Sequence, residues 1–463
     1  MSEHRESAQQ HMGGTIDALS EFVCSVKLDQ LPAAVVEQAE RILLDTLGAM
    51  LSASSPRYSA GQVLRDYVRA VGGVSECTLV GGKERSSCVN AALLNGTLGY
   101  YSDVESHHPG AIMHAAAITV PTALAVAERE GRSGAELLTS IVLGIDVACR
   151  VSNAIGPVAL YRRGLHPTCV AGGFGAATAA GYLLQLDPAA LRRAWGLTGT
   201  QASGLLAWET DDTEQSRPFN PGIAARNGTT AALLASLKFG GPPDIFEGKF
   251  NIFGAYADAP HLEELTAGLG ERFLINELAI KLYSCCAFLH PGLDALDQIL
   301  VEEKLGPDEI TAIRLRFPRS GVALIDNNPL RSHCGQYILP IYALERKIVI
   351  DDILHDRRGE SAIAALNAKV QVLGDDELDA EFPERYTSIT EVDSGGETFS
   401  RRVAYAKGCP ENPVTRDELE AKFATLARTV LDDRGVDKVI STVRDIASAP
   451  SVDPLTALMR TKH

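Results

Sequence analysis

The spacing of apolar residues divides the chain into two parts. From about Leu31 to about Phe250, apolar residues recur every three or four positions, as in Val35 to Leu51, which is the period of a helix buried on one face. After about Asn276 the period changes, and Ile310 to Phe317 alternates between apolar and polar residues as a strand does. We therefore predict a mainly α fold in which a large helical unit precedes a smaller unit that contains strands.

Short motifs mark where several helices begin. Ser133 and Glu136 have the spacing of a capping box, in which the serine accepts from the amide of the glutamate and the glutamate reaches back. Thr415 and Glu418 repeat this spacing near the C-terminus. Asp187 precedes a proline, as an N-cap residue before the first helical position often does. These signals predict three helix starts.

The strand-bearing unit shows a hairpin signal. Val370 to Val372 is a short strand-like run, and residues 387–392 and 398–403 flank Ser394-Gly395-Gly396-Glu397. Near Tyr405 the helical pattern returns. We expect a large all-helical domain of residues 1–276 and 406–463 and a smaller α+β lid domain of residues 277–405, with the ligand cleft between them.

Composition excludes several classes of protein. The longest run without charge, Leu165 to Leu186, is built from Gly, Ala and Thr and predicts a tightly packed buried helix rather than a membrane span. A net charge of −16 without a dense Lys/Arg block argues against nucleic-acid binding. Met1 to Met12 lacks an apolar signal core, and the nine cysteines lack any C-x-x-C spacing. We expect a cytoplasmic protein with free thiols that does not bind membranes.

The segment from Asn95 to Gly110 holds the densest group of reactive side chains. Asp103, Glu105, His107 and His108 lie in an apparent loop before a helix. A carboxylate and two imidazoles in one cleft can take a proton from carbon and return one to carbon or oxygen, as a lyase or isomerase requires. For any single residue, such as Asp103, capping of the following helix is the alternative.

Three further candidates lie far away in the sequence. His166 precedes a Gly/Ala-rich helix whose amide dipoles favour an anion. Arg217 precedes a predicted helix from Ile223 to Phe239 and is suited to bidentate binding of a carboxylate. Lys281 lies in an apolar stretch at the predicted domain junction. The alternatives are a core histidine, a solvated arginine and a lysine that extends to the surface.

Metal and nucleotide sites receive little support. His107 and His108 have no third ligand at zinc spacing. Gly172-Gly173-Phe174-Gly175 lacks both a preceding strand and the G-x-G-x-x-G pattern, and Cys285-Cys286 lacks the further thiolates of an iron–sulfur site. We expect no metal and no cofactor.

Five motifs in the same order resemble those of the MmgE/PrpD family, which includes 2-methylcitrate dehydratase, cis-aconitate decarboxylase and iminodisuccinate epimerase. The resemblance covers nearly the whole chain and implies an all-helical domain completed by the C-terminal helices, an α+β lid and a homodimer. The matching segments are Asn95 to Pro109, Gly164 to Thr168, Glu247 to Phe250, Ile280 to Cys286 and Lys407 to Pro413.

By matching position, the resemblance assigns active-site roles to four residues. Asp103 and His166 are the candidates for base and acid, and His108 would orient the substrate or protonate it. Lys281 would bind a carboxylate and stabilise the enediolate charge of the transition state. The expected substrate-binding residues are Tyr100, Glu105, His107, Arg217 and Tyr283.

Several positions depart from the family pattern. Tyr100 stands where the family has a histidine, and Arg217 stands where it has a lysine, which keeps the charge but removes neutral-amine chemistry. The lid segment Ser-x-Pro-Tyr appears as residues 338–341, Ile-Leu-Pro-Ile, so Tyr337 or Tyr342 would have to supply the missing hydroxyl. Because these changes fall in the expected pocket, they leave the substrate open.

The expected function is that of a cofactor-independent lyase on a small di- or tricarboxylic acid. Proton abstraction next to a carboxylate would lead to dehydration, as in 2-methylcitrate dehydratase, or to a related decarboxylation. One alternative is an epimerase of an acidic substrate such as iminodisuccinate. The other is a binding protein without catalysis, which the departures at Tyr100 and Ile341 favour.

Overall fold

The computed structural model describes residues 14–211 and 213–461, which form a helical body and a smaller lid with a sheet. The polar stretch from Met1 to Met12 lies outside the described residues. The helices of the body before the lid are α1 (Thr15–Ser25), α2 (Ala33–Ala53), α3 (Ser59–Val71), α4 (Cys88–Tyr101), α5 (Ala116–Glu130), α6 (Gly134–Ile155), α7 (Pro157–Arg162), α8 (Pro167–Leu183), α9 (Pro188–Gly199), α10 (Ser216–Ser236) and α11 (Ile252–Tyr256). Those of the lid are α12 (His290–Glu302), α13 (Arg319–Val322), α14 (Gly335–Glu345), α15 (Ile350–Leu354) and α16 (Ser361–Asn367). The C-terminal helices are α17 (Arg416–Ala427), α18 (Asp433–Arg444) and α19 (Asp453–Leu458).

The predicted helix starts are confirmed, with one shift. Ser133, Asp187 and Thr415 each accept a hydrogen bond from the amide three residues further on, at the starts of α6, α9 and α17. The helix predicted from Ile223 begins earlier, at Ser216, so Arg217 lies inside the first turn of α10 rather than before it. Pro218 lies in the first turn, where an amide has no partner within the helix, whereas Pro221 lies inside α10 and does not end it.

Small residues allow the helices of the body to pack backbone to backbone. A Cβ atom added at Gly228 of α10 would lie 2.4 Å from the carbonyl oxygen of Gly173 in α8. One added at Gly222 would lie 2.6 Å from the carbonyl oxygen of Leu93 in α4. The Gly/Ala-rich run that begins at Leu165 therefore forms a buried core helix, α8, as predicted. This close packing holds α4, α8 and α10 together and so positions the site residues at or near the ends of these helices.

One described helix, α6, is long and apolar enough to span a membrane by length and composition. Its most apolar window is 94% buried inside the protein. This burial is that of a core helix in a folded domain.

The lid is built on a four-stranded mixed sheet. Its strands are β3 (Ile310–Pro318), β4 (Val370–Asp375), β5 (Ser388–Ser394) and β6 (Glu397–Val403), and a separate two-stranded sheet in the body consists of β1 (Cys77–Thr78) and β2 (Arg85–Ser86). The strand order is β4-β3-β5-β6, with β3 and β4 parallel and the other pairs antiparallel. Gly395 and Gly396 form the predicted hairpin turn, and both have positive φ, at 59° and 86°.

The C-terminal helices return to the body and support the loop after α4. Phe423 of α17 packs against Gly48 of α2. The ammonium of Lys422 contacts the carboxylate of Asp45 and donates to the carbonyl oxygen of Val104 at 2.7 Å. Residues far apart in the sequence thus hold the segment that carries Asp103.

Candidate active site

A small enclosed cavity of about 60 Å³ lies between the body and the lid. That volume has room for a few water molecules and is smaller than the clefts of several hundred Å³ that usually hold ligands. Both parts of the chain contribute walls. The polar and aromatic lining residues are Tyr100, Asp103, His107, His114, Tyr161, His166, Trp208, Glu209, Lys281, Cys286, Phe288, His333 and Tyr386.

Asp103 enters this cavity from a constrained loop. Helix α4 ends at Tyr101, and Asp103 follows with φ of 51°, a left-handed conformation that is uncommon outside glycine but tolerated by aspartate. The carboxylate of Asp45 accepts from the amide of Ser106 at 3.0 Å, and Lys422 binds the carbonyl oxygen of Val104. The surrounding structure therefore maintains an unfavourable backbone at a reactive side chain, as is common at functional sites.

A backbone bridge brings Lys281 to the same place. His107 and Ala279 exchange two backbone hydrogen bonds, at 2.9 and 2.8 Å, which align the loop after α4 with the segment before the lid. The amide of Ile280 donates to the carbonyl oxygen of Gly408, where φ is 102° and a Cβ atom would lie 1.9 Å from the Ile280 oxygen. Glycine in the Lys407-Gly408 motif thus permits this approach.

Lys281 pairs with two buried carboxylates. Its Nζ atom lies 2.6 Å from Asp103 Oδ1 and 3.3 Å from Glu105 Oε1, and all three side chains are almost completely buried. Among residues 14–211 and 213–461, no group donates a hydrogen bond to the buried oxygens Asp103 Oδ2 and Glu105 Oε2. Buried polar atoms normally have partners, so these oxygens mark a place prepared for a further donor.

The two carboxyl groups differ in proton affinity. Burial by itself raises the pKa of Asp103, but Lys281 and Arg217 outweigh it and hold the pKa below the usual value. Burial raises the pKa of Glu105 to about 7, since the attraction of Lys281 does not compensate and Asp103 adds negative charge nearby. Burial opposes the charge of Lys281, yet Asp103 and Glu105 raise the pKa of its ammonium above normal. Asp103 is therefore ionised at neutral pH, while Glu105 can hold a proton.

Arg217 lies behind the cavity wall. Its guanidinium is stacked on the ring of Tyr100 at 4.9 Å, its Nη1 atom lies 3.7 Å from Asp103 Oδ1, and its Nε atom lies 3.3 Å from a carboxylate oxygen of Glu214. Both Nη atoms are buried without a hydrogen-bond partner in the part of the chain that the structure describes. Arg217 contacts the cavity residues Asp103 and Tyr100 from behind and does not line the cavity itself.

Three imidazoles of the body face the cavity. The Nδ1 atom of His114 lies 2.7 Å from Glu105 Oε1, although not at a hydrogen-bonding angle, and its ring meets Tyr100 edge-on at 4.6 Å. His166 occupies the N-cap position of α8 without a capping hydrogen bond from its side chain, and its ring packs against Trp208 at 5.6 Å. Both ring nitrogens of His107 lack partners among the described residues. Burial lowers the pKa of all three rings, so they are neutral at pH 7.

Four of the sequence-predicted residues do not line this cavity. Glu105 and Arg217 contact the lining residues Lys281 and Asp103 from behind, and His108 and Tyr283 lie elsewhere. His108 lines a neighbouring cavity of about 410 Å³, where its Nε2 atom is 3.4 Å from Glu277. The hydroxyl of Tyr283 donates to Asp294 at 2.7 Å, and Tyr283 lines neither cavity. The larger cavity shares walls with the smaller one at His107, Lys281 and Tyr386. The larger cavity therefore adjoins the inner one, with these residues forming part of the wall between them.

Eight of the polar and aromatic lining residues were not among the site residues predicted from the sequence: His114, Tyr161, Trp208, Glu209, Cys286, Phe288, His333 and Tyr386. His114 lies shortly after the His-Pro pair that drew attention to His108, and its position just before α5 was the available signal. His333 and Tyr386 come from irregular parts of the lid, where no periodic pattern marks them. The lid tyrosines considered instead, Tyr337 and Tyr342, donate to Asp352 and Asp297 away from the cavity.

Both parts of the chain match domains of one known protein family. Residues 17–265 match the MmgE/PrpD N-terminal domain, and residues 283–446 match the MmgE/PrpD C-terminal domain. The chain belongs to the MmgE/PrpD family. The resemblance found in the five motifs is thus confirmed, and the cavity lies where the two family domains meet.

Similar members of the MmgE/PrpD family are described as decarboxylases. The cis-aconitate decarboxylase-like protein oryM of Aspergillus oryzae is 26% identical, over 96% of this chain and 97% of that protein. The cis-aconitate decarboxylase of Aspergillus terreus is 24% identical, over 96% of each chain. The cis-aconitate decarboxylase of Homo sapiens is 25% identical, over 96% of this chain and 94% of that protein. Membership in this family supports a lyase that acts on a small carboxylic acid.

Proposed function

We propose that the protein is a carboxy-lyase that decarboxylates a small unsaturated tricarboxylic acid of the cis-aconitate type. The observation that carries the proposal is the convergence of Asp103, His114, His166 and Lys281 on one enclosed cavity. The names of the similar proteins support decarboxylation over dehydration. A dehydratase and an epimerase remain outcomes of the test described below.

The chemistry of such a step needs both a cation and a proton donor. The carbon–carbon bond to the departing carboxylate breaks, its electron pair forms a new double bond, and the electrons of the old double bond take a proton at the carbon next to a retained carboxylate. One proton is consumed for each carbon dioxide released. The site must therefore hold anions and deliver a proton to carbon.

Lys281 is suited to hold the anion. Its three protons are directed to Asp103 Oδ1, the Asp103 carbonyl oxygen and Glu105 Oε1. The pKa of Glu105 is raised to about 7, so this carboxyl can be protonated. The ammonium of Lys281 can then donate to a substrate carboxylate the hydrogen bond that it otherwise donates to Glu105. We propose that Lys281 binds the substrate in this way and that Asp103 keeps it charged.

His114 and His166 are the proposed body residues for proton transfer. Both rings are neutral in the empty site because of burial. Carboxylates bound beside them favour the protonated imidazolium, which can then donate to carbon. His108 remains a candidate for guiding the substrate through the larger cavity, where it lies beside Glu277.

Turnover of a small panel of acids tests the proposal. Purified protein is incubated with cis-aconitate, citrate, 2-methylcitrate and iminodisuccinate in deuterated water, and the products are measured by mass spectrometry. Decarboxylation predicts loss of carbon dioxide and one deuterium on carbon in the product. Loss of water without carbon dioxide would indicate a dehydratase, and labelled but otherwise unchanged substrate would indicate an epimerase.

Variants test which residues carry the reaction. Asp103→Asn and His166→Ala are expected to lower kcat by roughly 10² to 10⁴, the usual range for loss of an acid–base group. His261→Ala is the matched control, since its side chain is 60% exposed and lines neither cavity. Equal turnover by all three variants would contradict the proposed site. A homodimer and a cytoplasmic location also remain proposals, and light scattering and cell fractionation test them.

A further inference from the structure

The lid contributes one imidazole to the cavity wall among the described residues, that of His333. It ends a short 3₁₀ segment, Arg331–His333, and its ring centre lies 6.0 Å from that of Trp208 in the body. Tyr337 and Tyr342, the lid tyrosines considered from the sequence, have their hydroxyls bound elsewhere. His333 is thus the lid residue best placed to exchange a proton with a molecule in the cavity.

A chain of buried hydrogen bonds links this ring to the body. The Nδ1 atom of His333 lies 2.9 Å from the Ser332 hydroxyl, and that hydroxyl lies 3.1 Å from Glu214 Oε1. The amide of Ser332 also donates to Glu214 Oε1 at 3.4 Å. Ser332 and Glu214 are almost completely buried, so water does not compete for the bonds between these two residues.

The direction of the hydrogen bonds follows from the chemistry of the groups. The carboxylate of Glu214 already accepts from the Ser332 amide and from Nε of Arg217, so it is the acceptor for the Ser332 hydroxyl as well, and the single hydroxyl proton is directed to Glu214. The Ser332 oxygen can then only accept from His333, which places the ring proton on Nδ1. The other nitrogen, Nε2, is left unprotonated and available to a bound molecule.

Glu214 connects this chain to the rest of the site. Its second carboxylate oxygen lies 3.3 Å from Nε of Arg217, whose guanidinium is stacked on Tyr100 and lies beside Asp103. Glu214 itself has φ of 57°, a left-handed conformation that is strained for a residue with a side chain. Glu214, a residue of the body, therefore contacts both Ser332 of the lid and Arg217, which lies beside Asp103.

We propose that His333 is a lid-borne acid–base residue and that Ser332 and Glu214 are positioning residues that set its tautomer when the lid is closed. This proposal rests on the proposed lyase function. A bound polycarboxylate would favour uptake of a solvent proton at Nε2, and the imidazolium would deliver that proton to the substrate carbon as carbon dioxide leaves. The ring then returns to the neutral Nδ1-protonated form, so protons and electrons balance.

The tautomer can be measured without any substrate. Full-length protein labelled with ¹⁵N-histidine is studied by NMR, and His333→Asn identifies the signals of this ring. The expected result is a neutral ring with the proton on Nδ1, which shifts toward the other tautomer in Ser332→Ala. The control is Ser394→Ala, another buried serine of the lid, which should leave the signals unchanged. An Nε2-protonated ring, or no shift in Ser332→Ala, would overturn the proposed positioning.

Kinetics then test the catalytic part. With an acid that the wild-type protein converts, His333→Asn should lower kcat by roughly 10² or more, and Ser332→Ala by about tenfold with little change in KM. His355→Asn, on an exposed part of the lid, should behave as wild type. Full turnover by His333→Asn would refute the acid–base role. If the wild-type protein converts none of the acids, the proposed function fails, but the NMR result still decides the positioning.

Discussion

Lys281 Nζ lies 2.6 Å from Asp103 Oδ1, although 178 residues separate them in the sequence. The pair is buried and shares its charge with Glu105 at 3.3 Å. Because two buried carboxylates surround one ammonium, loss of that ammonium would leave their negative charge without compensation. The contribution of Lys281 can therefore be measured through the stability of the protein as well as through its activity.

Replacement of Lys281 by methionine should destabilise the protein strongly. Removal of one member of a buried ion pair leaves a buried charge without compensation, which usually costs about 3–5 kcal/mol. We expect a fall of this order in the free energy of unfolding at pH 7, measured by urea denaturation. Lys407→Met is the control, because Lys407 and Glu418 form a partly exposed pair worth less than about 1 kcal/mol. Equal effects of the two substitutions would contradict the buried pairing.

Glu105 should make stability depend on pH. Its pKa is raised to about 7 in the folded protein, above the ordinary value near 4.5, so the folded state binds the extra proton in the interval between them. The stabilising contribution is complete below about pH 4.5 and is lost as pH rises to about 7.

Glu105→Gln mimics the protonated carboxyl and should remove this slope. At pH 8 the variant should be more stable than wild type by up to roughly 3 kcal/mol, since each pKa unit corresponds to about 1.4 kcal/mol. Unfolding curves between pH 5 and pH 8 check this, with exposed Glu397→Gln as the control. A Glu105→Gln variant with the wild-type pH slope would show that this carboxyl does not hold the proton.

Close helix packing should make Gly228 intolerant of a methyl group. A Cβ atom there would meet the carbonyl oxygen of Gly173 at 2.4 Å and the Cβ of Ala176 at 2.5 Å, so the helices must separate. Gly228→Ala should lower the free energy of unfolding by roughly 1–3 kcal/mol, as overpacked cores do. Gly240→Ala serves for comparison, because no atom lies within 4 Å of its added Cβ. Wild-type stability of Gly228→Ala would argue against this packing.

Tyr386 should control the size of the acid that the site accepts. Its ring forms part of the wall of both cavities, and its hydroxyl donates to the carbonyl oxygen of Pro109 at 3.1 Å. Tyr386→Ala should join the two spaces and raise kcat/KM for homologues with a longer side chain relative to the preferred acid. Tyr386→Phe keeps the wall and should keep the preference. The same preference in both variants would show that the ring is not the barrier.

Local sequence signals determined the elements of this fold. Helical and strand periods, capping boxes and the Gly395-Gly396 turn depend on residues within a few positions of each other, so they can be read without the tertiary structure. The same holds for Asp103 and Lys281 as candidates, because a polar residue in an apolar or glycine-rich segment stands out in the sequence. Their motifs also carried the family resemblance.

Only the tertiary structure decided which side chains meet. The bridge between His107 and Ala279 brings Lys281 to Asp103, and it leaves His108 in the outer cavity. His333 reaches the inner cavity because the lid folds over the body and Ser332 binds Glu214. Such contacts depend on how closely distant helices and loops approach, which is set by the summed packing of the core and leaves no local pattern.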